Sequence, residues 1–177
     1  MSKPTLATAR FELTPLHRRD RDDLFAHFSD PAPVEFMDID PLVHVSGADE
    51  TIAWATRLLD GGKGVRWAIR DADGAFAGTI GFNSLERDHG SRGEIGYDVV
   101  RSRWRTGVMA EILPAVLDYA FGPLGLHRVE ATVTPGNTAS VSLLERQGFR
   151  REGLLRGHGH WKGRFQDVEL FAKLATD

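Results

Sequence analysis

The sequence contains no cysteine. That removes disulfide frameworks, thiolate zinc sites and a cysteine nucleophile together, and it fits a reducing compartment. Long apolar runs are missing too. No stretch approaches the roughly 20 residues of a membrane span, and residues 1–10 have no apolar core of signal-peptide length. The expectation is a cytoplasmic protein without membrane contact. A basic excess is also lacking: the net charge of -3 argues against a dedicated nucleic-acid binder. Neither a Gly-x-Gly-x-x-Gly stretch nor a phosphate-binding P-loop occurs, which speaks against a nucleotide-dependent oxidoreductase. With no repeat, low-complexity run or long linker, the 177 residues read as a single domain over 1–177, long enough to bury a core without a staple.

One sign of charge is locally absent. Between Arg21 and Arg57 there is no Lys or Arg, while Asp22, Asp23, Asp30, Glu35, Asp38, Asp40, Asp49 and Glu50 fall inside that window. Elsewhere Arg101, Arg103 and Arg105 crowd into five positions. One end of the molecule should therefore favour cations and another anions.

What is present is periodic. Phe11, Leu13 and Leu16 suggest a first strand and its exit, and residues 21–28 read as a helix through Leu24, Phe25 and Phe28. Residues 29–46 hold Pro31, Pro33 and Pro41 and should be loop or broken helix. Residues 49–59 follow as a helix, stopped by Gly61-Gly62. Runs at 65–69 and 76–82 flank the turn Asp71-Ala-Asp-Gly74, and a third run at 94–100 completes an antiparallel meander. A helix is expected over 107–121, burying Met109, Ile112, Leu113, Val116, Leu117 and Ala120, with Pro114 kinking it. A strand at 127–134, a helix N-capped by Asn137 and stopped by Gly148, and strands at 149–154 and 167–174 complete the order. His158 and His160 then fall in a loop, and two histidines without a clear third ligand are weak grounds for a metal. The fold class is mixed α/β rather than doubly wound.

Two segments bear on chemistry. In Glu94-Ile-Gly-Tyr-Asp-Val-Val-Arg-Ser-Arg-Trp-Arg-Thr-Gly-Val-Met-Ala-Glu111 a strand runs into an arginine-rich loop and then a helix N-terminus. Free first-turn amides and the helix dipole make that a place for a pyrophosphate. The spacing suits a solvated basic turn equally well. Pro135-Gly-Asn-Thr-Ala-Ser-Val-Ser-Leu-Leu-Glu-Arg-Gln-Gly-Phe149 is a turn, a capped helix and a glycine stop, in which Asn137 needs no role beyond its cap.

Taken together and in this order, the two segments resemble the acetyl-CoA site of the GNAT acetyltransferases, and most closely the Rim-type branch, which acetylates ribosomal-protein N-termini. The likeness runs from about Phe11 to Leu174 and is most specific in Gly78-Thr-Ile-Gly81, Glu94-Ile-Gly-Tyr97, Trp104 to Glu111, Asn137-Thr-Ala-Ser140 and Glu145-Arg-Gln-Gly-Phe149. The family's phosphate loop, Gln/Arg-x-x-Gly-x-Gly/Ala, has Trp104, Gly107 and Met109 at its three defining places. The resemblance implies the GNAT fold, a mostly antiparallel sheet with one splayed parallel pair, flanked by helices. It implies an acetyl-CoA-dependent N-acetyltransferase with acetyl-CoA as co-substrate and no metal, and, by analogy, a homodimer.

Carried over by position, backbone groups of Asp98, Val99 and Val100 would pair with the pantetheine arm. The amides of Arg105, Thr106, Gly107, Val108, Met109 and Ala110 would cradle the pyrophosphate. Asn137 would hydrogen-bond the pantetheine, and Ser140 would lie near the sulfur and protonate it, or else merely complete its helix N-terminus. Many relatives use a tyrosine for that step, and neither Tyr97 nor Tyr119 falls on the second helix. Glu94 is the candidate base, acting through water, or else an exposed strand residue beside an arginine; Glu35, Asp38 and Asp40 compete with it. In this family the first two helices line the acceptor side, so the acidic window points to an amine acceptor: a protein N-terminus, a polyamine, an aminoglycoside or an amino acid. Asp22, Asp23, Asp49 and Glu50 read more simply as an exposed helix face. The alternative from another class is a catalytically silent acyl-CoA-binding module.

Overall fold

A computed structural model describes residues 4–177. In chain order the elements are β1 (Leu6–Ala7), β2 (Phe11–Pro15), α1 (Arg21–Ser29), α2 (Ser46–Asp60), β3 (Val65–Asp71), β4 (Phe76–Glu86), β5 (Arg92–Val99), α3 (Val108–Phe121), β6 (Arg128–Val133), α4 (Thr138–Arg146), β7 (Arg150–Trp161) and β8 (Arg164–Leu174). The strands form one sheet in the order β1-β2-β3-β4-β5-β6-β8-β7. Among the described residues only β5 and β6 run parallel; the other neighbours are antiparallel. This is the mixed α/β architecture expected, with one parallel pair.

Side chains alternate across the sheet, so each face builds its own core. Leu13, Trp67, Ile69, Ile80, Phe82 and Ile95 meet the α3 stripe of Met109, Ile112, Leu113, Val116, Leu117 and Ala120 on one face. Ala68 belongs to the opposite face, where α1 and α2 bring Leu24, Phe28, Ala48 and Ala55. Pro114 does not stop α3, because it lies on the exposed side, where water can satisfy the Ala110 carbonyl it leaves without a partner.

Local chemistry sets the joints. Asp71 Oδ1 accepts from the amides of Asp73 (3.1 Å) and Ala75 (2.9 Å), shaping the β3–β4 turn. Asn137 Oδ1 accepts from Ser140 N at 3.2 Å as the N-cap of α4. At the other end of α4, Phe149 N bonds Leu144 O and Gly148 N bonds Glu145 O, both at 3.0 Å, with Gly148 at φ +80. That is a Schellman stop, and the buried Leu144 and Phe149 supply its apolar contact.

The structure departs from the sequence expectations at several element ends, and three of the departures bear on the architecture. β1 was not anticipated; it is two residues long and pairs with Leu13 and Glu12 of β2. α2 begins at Ser46 rather than 49. β7 and β8 are longer than expected and meet at a two-residue turn, Lys162 (φ +51) and Gly163 (φ +74), the sign pattern of a type I′ hairpin. His158 and His160 are therefore strand residues of a hairpin, not loop residues.

The strand pair that matters is β5 with β6. Their pairing ends at Glu94 opposite Glu130, although β5 continues with β4 to Val99 and β6 continues with β8 to Val133. At that same point β4 carries a bulge: Phe82 faces Ile95, Ser84 faces Glu94, and Asn83 is the extra residue. A bulge bends its strand and increases local twist. β5 follows β4 and parts from β6.

A buried ion cluster holds β5 to β4 beyond the split. Asp98 Oδ2 accepts from Arg66 Nη2 (2.7 Å) and Thr79 Oγ1 (2.6 Å). Its Oδ1 meets His27 Nε2 (2.8 Å) and the Thr79 amide (3.0 Å). Arg66 also donates to the Gly96 carbonyl and to Asn83 Oδ1 on the bulge itself. Burial would raise the Asp98 pKa, but the His27 hydrogen bond, the Arg66 charge and Thr79 outweigh it and hold the carboxyl below its ordinary range. A depressed folded pKa contributes stability that is present above the unfolded value, about 3.9, and is lost as pH falls through the folded value. Asp98→Asn leaves Arg66 buried without its counter-charge. It is expected to cost about 3–5 kcal/mol at pH 7 and to flatten the acid limb of the stability profile. Urea unfolding at pH 7 and between pH 5 and 2 measures both; a loss below about 1 kcal/mol with an unchanged acid limb would show that the cluster does not hold β5.

Candidate active site

Because β5 and β6 part, the groups of β5 that would have bonded β6 are left facing a gap. The Val100 amide donates to the Ala77 carbonyl at 3.0 Å. By antiparallel alternation, Asp98 and Gly96 also turn their backbone toward β4, while Tyr97 and Val99 turn theirs into the gap. The Val99 carbonyl confirms the phase, accepting from Trp104 Nε1 at 2.8 Å. Of the three residues expected to pair with a cofactor arm, Val99 has its backbone toward the gap, whereas the Asp98 backbone and the Val100 amide face β4; Tyr97 shares the orientation of Val99.

The N-termini of α3 and α4 flank the gap. Gly107 caps α3 at φ +80 and ψ 15, and Arg105 is also left-handed at φ +62. The conformation, not space, asks for glycine at 107, since an added Cβ would meet nothing closer than Arg10 Nη2 at 3.6 Å. Turns of this kind aim successive amides at one point, and the first amides of α3 have no helical partners. Met109, the bulky residue of the loop, is buried in the core and leaves the loop unobstructed. Glu111, in the first turn, ties α3 to the β1–β2 turn by accepting from Thr8 Oγ1 (2.7 Å) and Arg10 N (2.8 Å). Arg103 is not available for an anion in the way its spacing suggested; it is ion-paired with Asp71.

On α4, Asn137 spends its carbonyl oxygen on the cap, while Ser140 Oγ lies 2.7 Å from the hydroxyl of Tyr97. That contact, across 43 positions of sequence, joins the two walls of the gap. Burial pushes the Tyr97 pKa up to about 12, with the Ser140 hydrogen bond pulling the other way. The sequence reading missed this pair, because nothing local says that a strand tyrosine meets a serine on the next helix but one.

Glu94 belongs to the opposite face of β5. It accepts from Thr132 Oγ1 at 3.2 Å and lines a chamber of about 1150 Å³ that extends from the gap under α1 and α2. Glu35, Asp38 and Glu50 line it as well; Asp40 does not. Glu50 is exposed, as expected of a helix-face residue, and borders the chamber, whereas Asp23 and Asp49 pair with Arg70 and Arg21. Lys162 at the β7–β8 tip donates to the carbonyls of Val34 (2.6 Å) and Glu35 (2.8 Å), and Thr134 donates to Phe36 O (2.9 Å). These bonds hold the acidic segment over the chamber. Trp161 and His158 of β7 form part of its wall. Among the described residues no cluster of His, Cys, Asp and Glu has the geometry of a metal site.

Comparisons with known proteins identify the family. The acetyltransferase (GNAT) domain model matches residues 10–150. The uncharacterized N-acetyltransferase p20 of Bacillus licheniformis is 39% identical over 175 residues, covering 98% of this chain and 97% of its own. The [ribosomal protein uS5]-alanine N-acetyltransferase of Escherichia coli is 24% identical over 180 residues, covering 99% and 93%. Among solved structures, Mycobacterium smegmatis RimJ in complex with CoA-disulfide superposes with a TM-score of 0.90 at 27% identity, covering 99% of this chain and 89% of that one. Matched over most of its length by sequence and by structure, the chain belongs to the GNAT acetyltransferases, in the Rim-type branch, and is an acyltransferase.

Proposed function

We propose that the protein transfers the acetyl group of acetyl-CoA directly to a primary amine, either a protein N-terminus or a small-molecule amine. The observation that carries this reading is the parting of β5 from β6. It exposes the backbone of Tyr97 and Val99 between two helix N-termini on one side and an acid-lined chamber on the other. A thioester cofactor and a cationic acceptor have separate approaches and one place to meet.

On this reading the amides of 105–110 bind the pyrophosphate at the left-handed turn into α3. The backbone of Val99 and Tyr97 pairs with the pantetheine arm, and Asn137 offers its free side-chain amide to it. An exposed amide on the parted strand faces the oxyanion that forms on the acetyl carbonyl. Glu94 takes the amine proton through water, and Ser140 donates a hydrogen bond to the departing sulfur while keeping its proton. The acids at 35, 38, 50 and 94 draw an ammonium into the chamber. The identified relative that acts on a ribosomal-protein alanine supports a protein N-terminus as one acceptor.

Acetyl-CoA should raise the melting temperature by mass action, worth about 2.7 kcal/mol at a hundredfold excess over Kd. A CoA-release screen over peptide N-termini, polyamines, aminoglycosides and amino acids should then find an acceptor; binding without release for any of them is the result expected of a silent acyl-CoA module. With an acceptor in hand, Ser140→Ala should lower kcat about 10²-fold and leave acetyl-CoA affinity nearly unchanged. Asn137→Ala should instead weaken acetyl-CoA binding and cost about 1 kcal/mol as a lost N-cap. Normal turnover by the serine variant at saturating acetyl-CoA would make Ser140 structural.

A further inference from the structure

We infer that Tyr97 is a positioning residue for thiolate departure: its hydroxyl donates to Ser140 Oγ and thereby aims the serine proton at the sulfur. The inference rests on the acetyl-transfer reading above and assigns Tyr97 a side-chain role that the reading does not contain.

A serine hydroxyl rotates freely unless something fixes it. The Ser140 backbone is fixed, since its amide donates to Asn137 Oδ1, but that bond leaves Oγ free to turn. Tyr97 supplies the missing constraint at 2.7 Å. Its ring packs against the core that carries Ile95 and Leu144, so the phenol is held from behind. Its Cα is on β5, the other wall of the gap, so the bond also sets the spacing between that strand and α4.

Which oxygen donates follows from acidity. A phenol is a stronger acid than an alcohol and is the better donor of the two. The raised pKa of Tyr97 keeps it protonated at every working pH. With Tyr97 donating, one lone pair of Ser140 Oγ is occupied, and the serine proton must point elsewhere, into the cavity that both residues line. Donation from Tyr97 also polarises the serine O–H and strengthens it as a donor.

The step balances without a proton passing through the pair. The amine nitrogen attacks the acetyl carbon, and its proton goes to Glu94 by way of water. Collapse breaks the C–S bond, and the electron pair goes to sulfur, which leaves as a thiolate bonded to Ser140. Tyr97 and Ser140 end the step with the protons they began with.

The test is a double-mutant cycle on kcat, with acetyl-CoA Kd measured by calorimetry on each variant. Tyr97→Phe removes one oxygen and keeps the ring that packs. It should lower kcat about tenfold, leave acetyl-CoA Kd within about twofold, and add nothing further to Ser140→Ala. Independent, multiplying losses would overturn the inference, as would normal kcat in Tyr97→Phe or a loss confined to Kd. The two levels separate in one assay. If wild type releases CoA and Ser140→Ala is slow while Tyr97→Phe is normal, only the role of Tyr97 fails. If wild type releases no CoA with any acceptor, the acetyl-transfer reading fails and this inference with it.

Discussion

Past Glu94, β5 has ladder hydrogen bonds on one side only, and a buried carboxylate secures that side. A strand that gives up a neighbour exposes backbone polar groups and loses half of its lateral support. Asp98 compensates by fixing β5 to β3 through Arg66, to β4 through Thr79 and to α1 through His27. The cluster lies between Tyr97 and Val99, the residues whose backbone the parting frees. Local rigidity and exposed backbone therefore come from the same few positions. Without the cluster, β5 would be free to slide back toward β6 or to fray, and the gap would close or lose its shape.

The bulge at Asn83 and the Asp98 cluster are one device. The bulge turns β4 where β5 leaves β6, and Arg66 ties the bulged residue to the carboxylate. Period-two alternation along β5 then sorts chemistry by face. Tyr97 points to α4 and Ser140, while Glu94 and Asp98 point to α1 and α2. On the proposed mechanism, thiolate departure and proton removal would lie on opposite faces of one strand. The chamber on the second face gets its roof from the β7–β8 hairpin, whose Lys162 grips two carbonyls of the acidic segment.

Much of this was legible in the sequence wherever the determinant was local. The α3 stripe, the Asn137 cap, the Gly148 stop and the Asp71 turn each depend on residues within a few positions of one another, and each stands where its pattern put it. The β7–β8 hairpin did not declare itself, because Arg156-Gly-His-Gly-His160 has the composition of a loop and Lys162-Gly163 is a weaker turn signal than Asn-Gly. Its strand character comes from pairing with β8, and β7 is an exposed edge. The Asp98 cluster was invisible for a related reason: His27, Arg66, Thr79 and Asp98 are spread over four elements, and only the register joins them. The same holds for the site. Loop and cap positions could be carried over from a resemblance, but the phase of β5, which turns Val99 into the gap and Val100 away from it, depends on hydrogen bonds to β4.

Backbone amide chemical shifts read that phase residue by residue. On titrating ¹⁵N-labelled protein with acetyl-CoA, the amides of Tyr97 and Val99 and those of 107–110 should move most. The amides of Thr79 and Val100, already bonded to Asp98 and Ala77, should move least. Saturable binding whose largest shifts fall outside both sets, or on Val100 in place of Val99, would contradict it.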